Sequence, residues 1–552
     1  MQRNCRSFRR KCNGYGMEGI KMEKKERNTI LILFLATVLL RFIGLYSVNP
    51  YINIDEAAIG YSSWCLGNYG TDRYCNSFPI YIENFYGGQS PAYAYLLIPI
   101  VKIFGLNLIS VRSLSAICYC IAFWSFYYLI KDKDKTFRFF AMLLYTISPV
   151  MIWFGRIALD CNLMMPFLIN ACACLKKAME EKSTLWYSIT AAAAAAVLYT
   201  YSLAYLILPV FILVAIGLLL KTKQITIKQV LIAAAIFLLI AFPGILQMVT
   251  IVFIKKKWSL GPFTFIAMET ERASELTVPS IKRLPKLLAS FFASDYLCSS
   301  FFIKDYRMSV PFAHFFSNFY FLTIPFLLYG IWITIKKAIA DWKEKQVTID
   351  TAVVLLLFIS MTGYLCLSWI LTYRINGILF LGIYFAGAGI QGLIKKKWVK
   401  HLLFYGYLGS FALFSIFYFG GIQKSIQDKQ PSLSAMDFSK ELTYLKEITD
   451  ETDNIYIFGS DNNWLFGAFS LGGVNPYEVK EFDDREEVVD YSIKNLHVKL
   501  PEAYDPNAYY LVSNGFKHNG CTDELLKQIK EMNCIEFKNY NLYLPKEAHS
   551  AY

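Results

Sequence analysis

Charged residues are scarce in this chain. Asp, Glu, Lys and Arg make up 18% of its 552 residues, against 55% hydrophobic and 17% aromatic. Soluble domains carry roughly 25% charge, so a water-soluble globule is excluded as the overall form. A disordered or collagen-like chain and a small disulfide scaffold are excluded too. Histidine is rarer still. His314, His401, His497, His518 and His549 are the five, and none stands at zinc-ligand spacing from Cys or another His. There is no Walker loop and no dinucleotide fingerprint after a strand. The thirteen cysteines are mostly scattered through apolar runs, where they act as small apolar residues. Two spacings, Cys65/Cys75 and Cys521/Cys534, suit a disulfide.

What is present is a basic excess of +13, and it is unevenly placed. Residues 421–552 hold 13 basic and 22 acidic residues, net −9, and residues 1–420 hold the balance, net +22. The charge boundary is also a composition boundary. Before it run long apolar stretches; after it come ordinary soluble-domain segments such as Asn454–Phe458 and Tyr509–Val512. That divides the chain into a basic tail (1–27), a membrane domain (28–420) and a small α/β domain (421–552). The tail domain's negative charge argues against nucleic acid or anionic lipid as its partner.

A membrane helix needs about 20 mostly apolar residues. Asn28–Val48 qualifies and has no small-residue cleavage site, so it reads as a span rather than a signal peptide. Further spans are expected at 109–130, 137–154, 160–178, 185–201, 203–220, 228–249, 318–336, 350–370, 375–394 and 402–420, eleven in all. Pro91–Phe104 decides the topology. If it lies in the interface, six basic segments share one side: the N-terminal tail, Lys131–Arg138, Lys176–Lys182, Lys221–Lys228, Lys336–Lys345 and Lys395–Lys400. Together they hold 27 of the 42 basic residues before 421. The positive-inside rule favours that arrangement, with a cytoplasmic N-terminus and an extracytoplasmic C-terminal domain. Lys255-Lys256-Lys257 then falls outside and disagrees, in a long loop where the rule is weak. The outside surface comprises a first loop (49–108), the Arg156–Asp160 segment, the Tyr199–Ser202 turn, a long loop (250–317) and the turn at Arg374. Terse inside loops and elaborate outside loops put the chemistry outside.

Asp55 and Glu56 open a helix directly after the first span. They can be read as helix caps, or as a carboxylate able to take a proton from a hydroxyl. Neighbouring helical side chains diverge by about 100°, so one can face a cavity while the other makes a structural pair. Arg156 and Asp160 are four apart and fit a local ion pair, or Asp160 can hold an acceptor. Tyr199 and Tyr201 suit either a groove lining or the ordinary interfacial role of tyrosine. Arg374 is either an anion ligand or a snorkelling interfacial cation. Arg41, inside the first span, is expected to face an acidic neighbour or the outside cavity.

The ordered set Asp55-Glu56, Gly70-Thr-Asp72-Arg73, Phe78-Pro79, Gln89-Ser90-Pro91 and Phe104-Gly105 with Arg112 resembles the first external loop of GT-C glycosyltransferases. The similarity is to the protein O-mannosyltransferase and aminoarabinose-transferase type. Gly155-Arg156 through Asp160, Tyr199-Thr-Tyr201 and Thr372-Tyr-Arg374-Ile-Asn376 extend it over most of 28–420. The resemblance implies a polytopic α-helical GT-C fold and sugar transfer from a polyprenyl-phosphate donor to a hydroxyl of a glycan, lipid or protein. It implies Asp55 as base with Glu56 as its partner, and Arg374 as phosphate ligand, with Arg156 and Arg307 as further candidates. It implies no divalent metal or other cofactor. One departure stands out: Gln89-Ser90-Pro91 replaces the family's usual Lys-Pro-Pro. A transporter or flippase of lipid-linked glycans is the rival class, but no repeated halves are visible. A relative that binds glycolipid without reacting is the third reading.

Overall fold

The computed structural model describes residues 24–48, 52–84, 87–268, 277–292, 317–368 and 370–421, and the greater part of 444–545. A helix occupies each of the eleven apolar stretches. Among the described residues the helices of the first 421 positions are, in chain order, α1 (Lys24–Phe42), α2 (Ile54–Tyr69), α3 (Pro91–Phe104), α4 (Leu108–Ile130), α5 (Lys135–Ile147), α6 (Pro149–Phe154), α7 (Met164–Glu181), α8 (Thr184–Leu198), α9 (Ala204–Lys221), α10 (Ile227–Val249), α11 (Leu284–Phe292), α12 (Ile324–Lys343), α13 (Ile349–Tyr364), α14 (Leu379–Leu393) and α15 (Lys397–Tyr418). Six of them (α4, α9, α10, α12, α14 and α15) are long and apolar enough to cross a membrane. Two short hairpins join β1 (Ile82–Asn84) to β2 (Gly87–Gln89) and β3 (Trp258–Leu260) to β4 (Phe263–Phe265).

The core sits on α14, which is buried from Leu379 through Ile390. Small residues make this possible. A Cβ on Gly330 of α12 would lie 1.7 Å from the Phe385 carbonyl oxygen, and one on Gly389 would lie 1.8 Å from that of Phe326. The two backbones approach as closely as only glycine allows, the usual basis of tight packing where no water drives helices together.

The expected span 137–154 is two helices, because Ser148-Pro149 breaks it. Pro149 has no N–H for the Tyr145 carbonyl, and the Val150 and Met151 amides turn elsewhere, to Asn318 and Ser148. Three carbonyls are thus left without helical partners, and each is satisfied from outside. Arg41 donates from Nη2 to Tyr145 O (2.8 Å) and from Nη1 to Thr146 O (2.9 Å), and the Tyr320 hydroxyl donates to Ile147 O (2.6 Å). This corrects the expectation for Arg41. The buried guanidinium caps a broken helix, and neither a carboxylate nor a cavity beneath Asp55 is needed to explain it.

The basic segments gather at one end of the bundle. Arg138 pairs with Glu26, Lys131 with Glu180, Lys176 with Asp132, and Lys133 and Lys337 with Asp350. Gln224 donates to the Val347 carbonyl and Gln229 to that of Lys182. At the opposite end, Arg112 donates to the Leu45 carbonyl just past α1, while the Ala92 amide at the start of α3 donates to the Tyr199 carbonyl. α3 packs against α2 and leads through Gly105 straight into α4, which then runs to Lys131 at the basic end. Both ends of α3 therefore lie at the Asp55 end, and α3 does not traverse the bundle.

Among the described residues the tail forms a seven-stranded mixed sheet of β5 (Ile455–Phe458), β6 (Lys480–Phe482), β7 (Asp490–Ile493), β8 (Leu496–Val498), β9 (Tyr509–Ser513), β10 (Asn533–Glu536) and β11 (Tyr540–Leu544), with α16 (Asp523–Lys530) between β9 and β10. The spatial order is β10-β11-β9-β5-β8-β7-β6, with β5 parallel to β8 and β9 and the remaining pairs antiparallel. Leu445, Ile457, Leu511 and Leu542 share one hydrophobic cluster with Ala57, Tyr61 and Tyr93. The Tyr61 hydroxyl donates to the Val474 carbonyl (3.0 Å). The sheet therefore rests on the Asp55 end. Cys65 and Cys75 are free thiols, so the first expected disulfide is not formed. Cys521 of the second lies outside the described residues.

Candidate active site

The site begins with how α2 starts. Asn53 is its N-cap: the side-chain oxygen accepts the Asp55 amide (2.8 Å), and Glu56 reaches back to accept the Asn53 amide (3.1 Å). That capping box turns Glu56 inward. Its Oε1 accepts Arg112 Nε (2.7 Å) and the Ala158 amide (3.0 Å), and its Oε2 also accepts Arg112 Nη2 (2.7 Å). Both side chains of this bidentate pair are 1% exposed. Glu56 therefore differs from the expectation that grouped it with the reacting residues. Its lone pairs are filled, and it pins α2 to α4 and to the chain after α6.

Asp55 diverges from Glu56 and stays half-buried. Its Oδ1 accepts two amide N–H groups, Asn84 Nδ2 (3.2 Å) and Gln89 Nε2 (3.1 Å). Both donors stand on the β1–β2 hairpin, whose register sets Asn84 opposite Gly87 and Ile82 opposite Gln89. Arg73 fixes which way Asn84 points. Its Nη2 donates to Asn84 Oδ1 (2.6 Å), so the Asn84 nitrogen must face Asp55. Arg73 itself is braced by the Ala58 carbonyl and the Ser62 hydroxyl on α2. The turn that carries it is organised by Asp72, which accepts the Tyr74 and Asn76 amides and the Asn76 side chain. Burial pushes the Asp72 carboxyl up despite those donors.

Asp160 lies one step away. Its Oδ2 accepts the amide of Ser90, the residue after Gln89 (2.9 Å), and its Oδ1 accepts the Cys161 amide (2.7 Å). Arg374 joins through its own turn. Asn376 donates to the Cys161 carbonyl (3.1 Å) and to Asn162 Oδ1 (3.3 Å), which locks residues 372–376 against 160–163. Arg374 Nε reaches the Tyr373 hydroxyl (3.3 Å). Burial pushes the Tyr373 phenol up, while Arg374 pulls it the other way, and Asp55 is near enough to act on it as well. Tyr201, buried, sits within electrostatic reach of Arg374, Asp160, Cys161 and Tyr373. The structure thus gathers Asp55, Asp160, Tyr201 and Arg374 around one place.

Two expected site residues are elsewhere. Arg156 does not pair with Asp160. It donates to the Leu40 (2.9 Å), Arg41 (3.2 Å) and Gly44 (2.9 Å) carbonyls, and its guanidinium lies over Tyr418 and Phe419. It caps the C-terminal end of α1, where a cation also suits the helix dipole. Tyr199 is committed to α10. There the Gly244 amide donates to the Tyr199 hydroxyl (3.2 Å), which donates to the Ile240 carbonyl (2.6 Å). The phenol stands in for the i to i−4 bond of the turn that Pro243 disturbs. Arg307 lies outside the described residues. Conversely, Asn84, Gln89 and Arg73 belong to the site without having been assigned a role from sequence. The only signal was that Gln89 replaces an expected Lys.

The described residues form a helical bundle with an interfacial first loop and with Asp55, Asp160 and Arg374 at one end. Residues 88–246 match the family model of dolichyl-phosphate-mannose-protein mannosyltransferase. The crystal structure of ArnT from Cupriavidus metallidurans bound to undecaprenyl phosphate is similar, with 12% identity over 93% of this chain and 97% of that one, at a TM-score of 0.51. The same protein in its apo state gives 13% identity over 94% and 98%, again at 0.51. No curated protein matches the chain. The GT-C resemblance read from the sequence therefore holds for the fold.

Proposed function

We propose that this chain is a membrane glycosyltransferase that moves a sugar from a polyprenyl-phosphate donor to a hydroxyl acceptor on the outer face of a membrane. The observation that carries the reading is Asp55, half-buried and hydrogen-bonded by Asn84 and Gln89, with Asp160 on the amide of the next residue, Ser90, and Tyr373 within electrostatic reach of both Asp55 and Arg374. The family match and the lipid phosphate named with the ArnT structure support this donor class. In the proposed reaction the acceptor O–H gives its proton to the Asp55 carboxylate. Its oxygen attacks the anomeric carbon, the bond from that carbon to the phosphate oxygen breaks, and polyprenyl phosphate leaves with inversion. Arg374 neutralises the charge that grows on the leaving phosphate. Asp160 orients the acceptor, and Tyr201 lines the site.

The reaction is proposed to run without a divalent metal. Amide donors already occupy Asp55 Oδ1 and both oxygens of Asp160, which a cation would otherwise use. The proposed topology has eleven spans, residues 1–27 in the cytoplasm, 28–420 as the membrane domain and 421–552 outside. Gathering of the basic segments at the end away from Asp55 supports that orientation.

The test is incubation of purified protein with a radiolabelled polyprenyl-phosphate sugar, wild type against Asp55→Asn. Loss of sugar transfer and donor hydrolysis in the variant is expected. Unchanged transfer would overturn the role of Asp55, and leaflet translocation without transfer by either protein would replace the enzyme with a flippase.

A further inference from the structure

The helix that begins at Ile227 continues through a π-turn to Ile254, 28 residues in all, and little of it is buried inside the protein. At 1.5 Å per residue that is about 42 Å. The hydrocarbon core is about 30 Å thick, so the last turns reach the headgroup layer. There Phe253 is 78% exposed, with Val252 and Ile254 exposed beside it. Lys255 then ends the helix in the left-handed region (φ 53°), its amide on the Thr250 carbonyl (2.8 Å). Lys255, Lys256 and Lys257 follow in a row, all exposed.

These lysines stand on a fixed platform. The Trp258 ring stacks on Phe265 at 4.5 Å and 11°, and the indole N–H donates to the Thr250 hydroxyl (3.0 Å). The β3–β4 hairpin is also sewn to the first loop: the Thr264 amide donates to the Ser77 carbonyl and the Ile80 amide to the Thr264 carbonyl, both at 3.0 Å. At the hairpin tip Leu260 and Phe263 are exposed. The positive-inside rule would keep such a lysine run away from the Asp55 end. Three ammonium groups beside bare apolar side chains, at the depth where a bilayer keeps its phosphates, match an anionic lipid surface in charge and in layering.

We propose that the Lys255–Phe265 hairpin is a phospholipid anchor. Its lysines bind the phosphates of anionic phospholipids in the leaflet at the Asp55 end, and Phe253, Ile254, Leu260 and Phe263 enter the interface. The inference needs α10 to span the membrane and does not depend on the sugar-transfer reaction.

The full-length protein would be reconstituted in bilayers doped with phosphatidylglycerol or phosphatidylcholine carrying a photoreactive headgroup, and adducts located by peptide mapping. Wild type is expected to give at least fivefold more adduct on the 251–265 peptide with phosphatidylglycerol. A Lys255→Gln, Lys256→Gln, Lys257→Gln variant should lose most of that excess. Adducts on the Lys395–Lys400 peptide, at the other end, should be unchanged and report an intact fold. Equal labelling by both lipids, or an unchanged excess in the variant, would overturn the anchor. Lost sugar transfer with unchanged labelling would also overturn it, and would assign the lysines to the donor.

Discussion

Arg73 donates to the side-chain oxygen of Asn84 at 2.6 Å, and that single bond decides that Asn84 offers Asp55 a nitrogen rather than an oxygen. A hydrogen bond to a charged group contributes about 1.5–3 kcal/mol. If Asp55 is the base, Asn84→Ala should therefore lower kcat by roughly 10- to 150-fold with an intact fold, since 1.36 kcal/mol is tenfold in rate. Arg73→Lys removes the orienting fork and should show part of the same loss. Steady-state transfer rates beside circular dichroism melts check both. An Asn84→Ala enzyme with wild-type kcat would refute the orienting role.

Glu56 and Arg112 should behave as a structural couple. Removing one member of a buried pair costs about 3–5 kcal/mol because the other charge is left uncompensated. Arg112→Met and Glu56→Gln are each expected to lower the Tm of the detergent-solubilised protein markedly. The double variant should be less destabilised than the sum of the two, which a double-mutant cycle measures.

Arg41→Met should destabilise through the backbone of another helix. It orphans the Tyr145 and Thr146 carbonyls, at about 1–3 kcal/mol each. Because no reacting group touches Arg41, kcat per folded molecule should stay unchanged. Thermal unfolding and an active-site titration together separate the two effects.

Tyr199→Phe should act on α10 and not on substrate. It removes the hydroxyl that links the Gly244 amide to the Ile240 carbonyl, so a loss of about 1–3 kcal/mol is expected with KM for the lipid donor unchanged. A raised KM at wild-type stability would restore Tyr199 to the substrate groove.

What was legible in the sequence followed from length and contrast. Apolar runs of span length coincide with helices, although Ser148-Pro149 breaks 137–154 in two, and six of the helices are long enough to span. Asp55 stood out because it follows the first span immediately. Arg156 misled because spacing of four means proximity only on a helix, and residues 155–159 are irregular. Tyr199 misled because the need it meets arises at Pro243, far along the chain. Asn84 was silent and Gln89 showed only as a departure from Lys, because neutral amides in a Gly-containing stretch look like any loop. Only the hairpin register makes them neighbours over one carboxylate oxygen. Strands β6, β7, β8 and β10 were missed because three or four residues carry too little alternation to read.

The sheet domain leans on the helix that begins with Asp55, sharing apolar side chains with it and taking the hydroxyl proton of Tyr61 on Val474 O. One helix is thus a common wall, with Asp55 at its first turn and the sheet along its flank. Any displacement of the sheet therefore bears on the helix that carries Asp55.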